Sequence, residues 1–138
     1  MADATASARR PERPLSPHLQ IYRWPVTMLT SIVHRVTGVG LGAGALVIAW
    51  WVIAAAAGPD AYATFIAVAG SWFGKLVLFG FTWALAFHLL NGIRHLFWDF
   101  GMGFEKHRAE RTGTITIALS VILPLVIWAY ALWARGAF

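Results

Sequence analysis

The sequence predicts an all-α integral membrane protein with three transmembrane helices, and composition and the distribution of apolar residues support this fold class. Of 138 residues, 59% are hydrophobic and only 12% are charged, and the mean hydropathy is +0.64. A chain this short cannot bury so much apolar surface in one water-soluble core, so lipid must be its main solvent. The apolar residues fall into three segments, each long enough to cross roughly 30 Å of hydrocarbon.

The three segments define the predicted helices and the domain organisation. They cover about residues 29–57, 69–98 and 112–135. Lys75 interrupts the second segment near one end, and the third contains Pro124, which a membrane helix tolerates when a neighbour or water satisfies the freed carbonyl. We therefore divide the chain into an N-terminal arm, residues 1–27, and a three-helix membrane domain, residues 28–138.

Basic residues predict the orientation of these helices. They precede the first helix and lie between the second and third, at Arg9, Arg10, Arg13, Arg23, Lys106, Arg108 and Arg111. The connection around Gly58-Pro59-Asp60 has none, so the positive-inside rule places the arm and the second connection in the cytoplasm. The arm lacks a signal-peptide core, and Asp3 and Glu12 argue against a mitochondrial presequence. We expect a bacterial inner membrane, and consider a mitochondrial inner membrane the weaker alternative.

Composition also excludes several function classes. The chain has no cysteine, so it cannot hold an iron–sulfur cluster or a thiolate zinc site, and a redox metal would need histidine ligands. The excess of 11 Lys and Arg over 6 Asp and Glu is explained by membrane orientation, so we expect no nucleic-acid partner. Without a nucleotide-binding loop or a soluble domain, the chain is not expected to be an enzyme by itself.

A first group of polar residues opens the first predicted helix. At 3.6 residues per turn, Ser31, His34 and Arg35 lie within one arc, so a hydroxyl, an imidazole and a guanidinium face a similar direction. Ionisable groups in a membrane segment cost at least ~2.5 kcal/mol near the centre and normally face protein or a cavity. The alternative is that Arg35 snorkels to the interface and only anchors the helix.

A second group contains two histidines on one face of the second predicted helix. His88 and His95 are seven residues apart, about 10.5 Å along the axis, too far to bind one iron from the same side. His88 is the deeper of the two and has apolar neighbours, as expected for a haem ligand. Small residues at Gly80, Ala84 and Gly92 would leave room for a flat porphyrin. The same pattern is also typical of a core histidine between closely packed helices.

Two motifs in these regions resemble those of the cytochrome b membrane-anchor subunit of succinate dehydrogenase, respiratory complex II. The first comprises Arg13-Pro14-Leu15-Ser16-Pro17-His18-Leu19, Ile21-Tyr22, Ser31, His34-Arg35 and Thr37-Gly38. The second comprises His88, Asn91-Gly92, Arg94-His95 and Trp98-Asp99. The resemblance covers almost the whole chain, but its specific part ends near Gly101. The third helix matches only in length and hydropathy.

The resemblance implies a role for individual residues. His88 matches an axial ligand of a b-type haem that is shared with a second small membrane subunit, which supplies the other ligand. Ser31 and Arg35 match residues of the ubiquinone pocket, and His34, Arg35 and His95 match polar groups near the haem propionates. No residue of this chain is expected to be catalytic.

The implied function is to anchor succinate:ubiquinone oxidoreductase in the membrane and to link succinate oxidation to the respiratory chain. The implied partners are a flavoprotein subunit, an iron–sulfur subunit, the second anchor subunit, ubiquinone and membrane lipid. Two alternatives remain open: the anchor of a fumarate reductase, and a haem-free structural anchor whose polar groups only pack helices or bind lipid.

Overall fold

A computed structural model describes residues 21–136, which form four α-helices without strands. The helices are α1 (Val26–Ala57), α2 (Pro59–Gly70), α3 (Trp72–Asp99) and α4 (Lys106–Ala134). Three of them, α1, α3 and α4, are long and apolar enough to cross a membrane. The predicted fold class is therefore confirmed: the chain is a multi-pass, all-α membrane protein with three spanning helices.

Helix α3 lies at the centre of the bundle and packs against both other spans in antiparallel fashion. Near its C-terminal end, Arg94 hydrogen-bonds to Thr30 of α1 and to Thr112 of α4. Further along the bundle, the indole Nε1 of Trp128 on α4 donates to the hydroxyl of Thr82 on α3 at 3.2 Å. We call the end near Arg94 the basic end, because it also carries Arg23, Lys106, Arg108 and Arg111.

The connection after α1 is helical, which the sequence analysis did not predict. Gly58 has φ of 117°, a left-handed value that favours glycine, and it ends α1 sharply. Pro59 then occupies the first turn of α2, where its missing N–H costs no helical hydrogen bond. A search for spans of about 20 apolar residues cannot detect this helix, because it is only 12 residues long.

The junction between α2 and α3 places the start of the second span at Trp72 rather than near residue 69. Ser71 breaks the helix with extended backbone, and its hydroxyl caps α3 by accepting the Gly74 N–H at 3.0 Å. The α2 backbone passes so close to Gly74 that an added Cβ would lie 2.6 Å from the carbonyl oxygen of Ala69. The sequence is apolar on both sides of the junction between α2 and α3. Hydropathy therefore predicted a start for the second span that lies too early.

The other two spanning helices instead begin earlier in the chain than expected. Helix α1 begins at Val26, three residues before the predicted start, because Pro25 is extended and its carbonyl accepts the N–H groups of Met28 and Leu29. Residues 26–27 of the predicted arm are therefore helical, and residues 1–20 lie outside the described part. Helix α4 begins at Lys106 rather than 112. Its first turns are charged, so hydropathy marked only the apolar part of a longer helix.

Most buried side chains of the bundle are small or weakly polar, and the larger exceptions are Phe65, Phe87 and Arg94. Helix α4 presents one such strip to its neighbours, and all five of its members are buried: Ala109, Gly113, Thr116, Ser120 and Pro124. Large apolar side chains instead point outward over most of the spanning surface. This inside-out distribution suits a lipid environment, where close approach of helix backbones rather than apolar burial holds the helices together.

Candidate functional site

Three of the predicted site residues, all histidines, meet between α1 and α3. The rings of His34 and His88 stack with centroids 3.8 Å apart and an angle of 11° between their planes. His34 also stacks on His95, with centroids 5.2 Å apart and an angle of 16°. The imidazole from α1 thus contacts both imidazoles of α3, although 54 and 61 residues separate them along the chain. We call His34, His88 and His95 the histidine cluster.

The hydrogen bonds of His88 assign its tautomer. Its Nδ1 lies 3.2 Å from the backbone carbonyl oxygen of His34 and 3.4 Å from the Thr37 hydroxyl. A carbonyl can only accept, and the Thr37 hydroxyl is itself within donating distance of the carbonyl of Val33, at 2.8 Å. Nδ1 of His88 therefore carries the proton. Its Nε2 keeps a lone pair, the state in which a neutral imidazole binds a metal.

The surroundings of His88 fit a flat macrocycle. A Cβ at Gly38 would lie 3.1 Å from Cε1 of His88, so glycine lets the imidazole approach the α1 backbone. Gly80 and Gly92 lie eight residues before and four residues after His88, and neither has another atom within 4 Å of an added Cβ. The helix face on either side of this imidazole is therefore open. Together with the free Nε2, this arrangement is compatible with a haem bound through His88.

The other two histidines of the cluster offer polar atoms beside His88. The Nδ1 of His95 lies 2.7 Å from the carbonyl oxygen of Asn91, so it donates there and leaves its own Nε2 free. The Nδ1 of His34 is buried and has no hydrogen-bond partner in the described part of the chain. Because buried polar atoms normally have a partner, this atom points to a missing ligand or neighbour.

Ser31 and Arg35 lie beside the histidine cluster rather than in it. Four residues apart on α1, they share a helix face; Arg35 is exposed and Ser31 is half-buried. His34 is turned about 100° from Arg35 around the helix and packs into the bundle. Neither Ser31 nor Arg35 donates a side-chain hydrogen bond to any residue between 21 and 136. Among the described residues, neither side chain is held by a hydrogen bond that it donates.

Sequence reasoning missed a buried polar group next to the cluster. Arg94 is only 6% exposed, and its guanidinium hydrogen-bonds to the side chains of Thr30 and Asn91, which are fully buried. Asn91 and Arg94 belong to the second sequence motif, but the resemblance implies no role for either residue. The signal available in the sequence was the cost of burying a cation within an apolar span, which predicts that dedicated partners surround it.

The fold and the site define a class: a small multi-pass helical membrane subunit with a cluster of imidazoles between two of its spans. Residues 9–127 match the family model described as "Succinate dehydrogenase/Fumarate reductase transmembrane subunit". The match covers most of the chain, and the chain belongs to this family. The resemblance found in the two sequence motifs is confirmed.

Individual relatives agree with the family model. The chain is 47% identical over 121 residues to the succinate dehydrogenase cytochrome b556 subunit of Paracoccus denitrificans, covering 88% of this chain and 93% of that one. It is 36% identical over 117 residues to the protein of the same name from Rickettsia prowazekii, covering 85% and 91%. It is also 36% identical over 115 residues to the mitochondrial cytochrome b560 subunit of Sus scrofa, covering 80% and 66%.

Proposed function

We propose that this chain is the cytochrome b membrane anchor of a succinate:ubiquinone oxidoreductase, in which it binds b-type haem and forms part of the ubiquinone site. Family membership supports the anchor role, and the relatives carry cytochrome b in their names. The family description includes fumarate reductase as well. The relatives compared above are all named as succinate dehydrogenase subunits, which favours succinate oxidation.

The observation that carries the haem proposal is the hydrogen bond from Nδ1 of His88 to the carbonyl of His34. It fixes the ring orientation and leaves Nε2 as the atom that would ligate iron. It also makes the imidazole a stronger electron donor, because a haem ligand whose other nitrogen donates a hydrogen bond gains basicity. We assign the second axial position to a partner membrane subunit, on the strength of the motif resemblance.

A bound haem would supply a one-electron redox group near the quinone. The chain's own part is to hold it: His88 as ligand, and His34, Arg35 and His95 as polar groups for the propionates. The buried, unpartnered Nδ1 of His34 supports this assignment, since a propionate oxygen could pair with it when that nitrogen is protonated.

Ser31 and Arg35 are proposed to bind the head group of ubiquinone. On this face of α1, Arg35 is exposed and Ser31 is half-buried, and both lie beside His34 of the histidine cluster. The Arg35 guanidinium would polarise a quinone oxygen and stabilise negative charge as electrons arrive, because a fixed cation costs no reorganisation during the reaction. The Ser31 hydroxyl can donate a hydrogen bond to the ring oxygen or accept one from water.

Electrons would reach this site from a flavoprotein through an iron–sulfur subunit. We place the basic end of the bundle in the cytoplasm of a bacterial cell, where Lys106, Arg108 and Arg111 follow the positive-inside rule. The histidine cluster and Arg35 lie toward that end, so they would be near the partner subunits that deliver electrons.

The haem proposal is tested by a reduced-minus-oxidised visible spectrum of the purified complex. His88→Ala should abolish or strongly alter the reduced b-type bands, because the variant lacks the ligating nitrogen. His107→Ala is the matched control, since that histidine is exposed in the first turn of α4 and is not one of the stacked rings, and it should leave the bands unchanged. Unchanged bands in His88→Ala would reassign the ligand, and a colourless wild-type complex would support the haem-free anchor.

A further inference from the structure

Arg94 is a buried cation that binds neutral groups on all three spanning helices. Its distances to the acceptor oxygens are between 2.8 and 3.3 Å. The guanidinium carbon also lies 4.0 Å from the ring centroid of Trp98. The acceptors are the Oγ1 of Thr30 on α1, the Oδ1 of Asn91 on α3, and the carbonyl of Ala109 and the Oγ1 of Thr112 on α4.

The packing of α4 leaves space for this side chain. A Cβ at Gly113 would lie 2.9 Å from Cγ1 of Val26 and 3.6 Å from Nη2 of Arg94. Glycine at this point allows α4 to come close enough for two of its acceptors to reach the guanidinium. A cation inside a membrane span is expensive unless its donors are satisfied, so these bonds strongly favour one arrangement of the three helices.

Because Arg94 lies next to the histidine cluster, its hydrogen bonds also affect the position of His88 relative to His34. Thr30 precedes His34 by one helical turn, and α3 contacts the same stretch of α1 through Arg94 and through His88. The bond from His88 to the carbonyl of His34 is 3.2 Å long. A shift of α1 relative to α3 that moves the His34 carbonyl about 1 Å directly away from Nδ1 would stretch it beyond hydrogen-bonding distance. The register that Arg94 fixes is thus the one that this bond requires.

We propose that Arg94 is a positioning residue for the haem: by clamping α1, α3 and α4 it holds the His34 carbonyl against Nδ1 of His88. This inference rests on the proposed function, since it concerns the ligand strength of His88.

The bond to Nδ1 raises the basicity of the imidazole and favours the oxidised haem. Weakening the clamp therefore raises the midpoint potential of the haem. Loss of the positive charge alone acts in the opposite direction, because a nearby cation favours the reduced, more negative form.

Two variants retain the positive charge at position 94. They therefore distinguish the effect of the hydrogen bonds from the effect of the charge. Arg94→Lys keeps a cation but loses the planar fork that reaches three helices at once. Thr112→Val is milder: it removes the acceptor for Nε and leaves Arg94 with its other three bonds. Thr82→Val is the matched control, because it removes another hydrogen bond between α3 and α4, the one to Trp128, at a distance from the cluster.

The experiment measures the midpoint potential and the electron paramagnetic resonance signal of the oxidised haem in the purified, assembled complex. Arg94→Lys should raise the potential and shift the highest g value, which reports ligand-ring orientation, and Thr112→Val should shift both in the same direction by less. Thr82→Val should match the wild type. If the Arg94→Lys complex does not assemble, the potential and the signal of Thr112→Val alone test whether Arg94 positions the haem ligand.

Two results would overturn the clamp. One is an unchanged potential and signal in Thr112→Val and in any assembled Arg94→Lys complex. The other is an equal shift in Thr82→Val, which would indicate general loosening of the helix pair. A wild-type complex without haem would instead refute the proposed function, so the two failures are distinguishable.

Discussion

Polar residues in the spanning helices fall into two groups. Residues of the first group form side-chain hydrogen bonds within the described part of the chain, and residues of the second group do not. Thr30, Thr37 and Asn91 are at most 2% exposed, and each makes hydrogen bonds within the bundle. Ser31 and Arg35 have no such partners in the described chain. Since polar groups in a membrane are costly, the fold explains the first group, and for the second we propose an external ligand.

Replacing Arg35 should therefore weaken quinone binding without disturbing the fold. Arg35→Ala should lower ubiquinone reduction by about 10-fold or more, because the variant lacks the cation that we propose polarises the quinone oxygen. Succinate oxidation with a soluble dye acceptor should stay close to wild type, since that route bypasses the membrane site. Both rates are measured on the same purified complex.

The control for this prediction is Arg111→Ala, which removes an exposed cation near the same end of the bundle. It should leave both rates unchanged. An equal fall in the quinone and dye activities of Arg35→Ala would indicate defective assembly and contradict a role in quinone binding.

At the scale of helices, α2 and its corner with α3 are the elements that hydropathy did not predict. Gly74 lies against the α2 backbone at the carbonyls of Val68 and Ala69, which cannot move aside as a flexible side chain would. Gly74→Ala should therefore lower the stability of the complex by about 1–3 kcal/mol, the usual cost of overpacking. The thermal midpoint of the purified complex measures this effect.

Gly70→Ala provides the comparison for that measurement. It makes the same chemical change at the end of α2, where an added Cβ meets no atom within 4 Å. It should leave the thermal midpoint near that of the wild type. Equal midpoints for the two variants would mean that the α2 corner is not closely packed in the complex.

Particular residues show what the sequence could predict about helices and site. The three spans follow from apolar run length, and the motifs identified His88, His34 and Arg35 as site candidates. Helical periodicity placed His34 and Arg35 in one arc, but α3 covers the side of α1 that carries His34 and leaves Arg35 exposed. The contact between Arg94 and Thr30 joins residues 64 apart. It depends on the register between helices, which no local pattern encodes.

At the scale of the whole molecule, the three spans have two chemically different ends. The basic end carries Lys106, Arg108 and Arg111, and the opposite end carries α2 with Asp60 in its first turn. Helices of 28 to 32 residues are about 42–48 Å long, so they extend beyond roughly 30 Å of hydrocarbon at one or both ends. The positive-inside rule then orients the bundle.

This orientation is testable because the chain has no cysteine to interfere with labelling. In spheroplasts with an intact inner membrane, Asp60→Cys should react with a membrane-impermeant maleimide, because α2 should face the outside. Arg108→Cys should react only after the membrane is opened. The opposite pattern, with Asp60→Cys protected until permeabilisation, would invert the proposed topology.

The proposed function depends on a bond between His88 and haem iron, and a high-resolution structure of the assembled complex tests for it directly. We expect density for a porphyrin between this subunit and a second membrane subunit, with iron bonded to Nε2 of His88 and Nδ1 still donating to the carbonyl of His34. Iron ligated by another residue, or a complete complex without a porphyrin beside His88, would contradict the account.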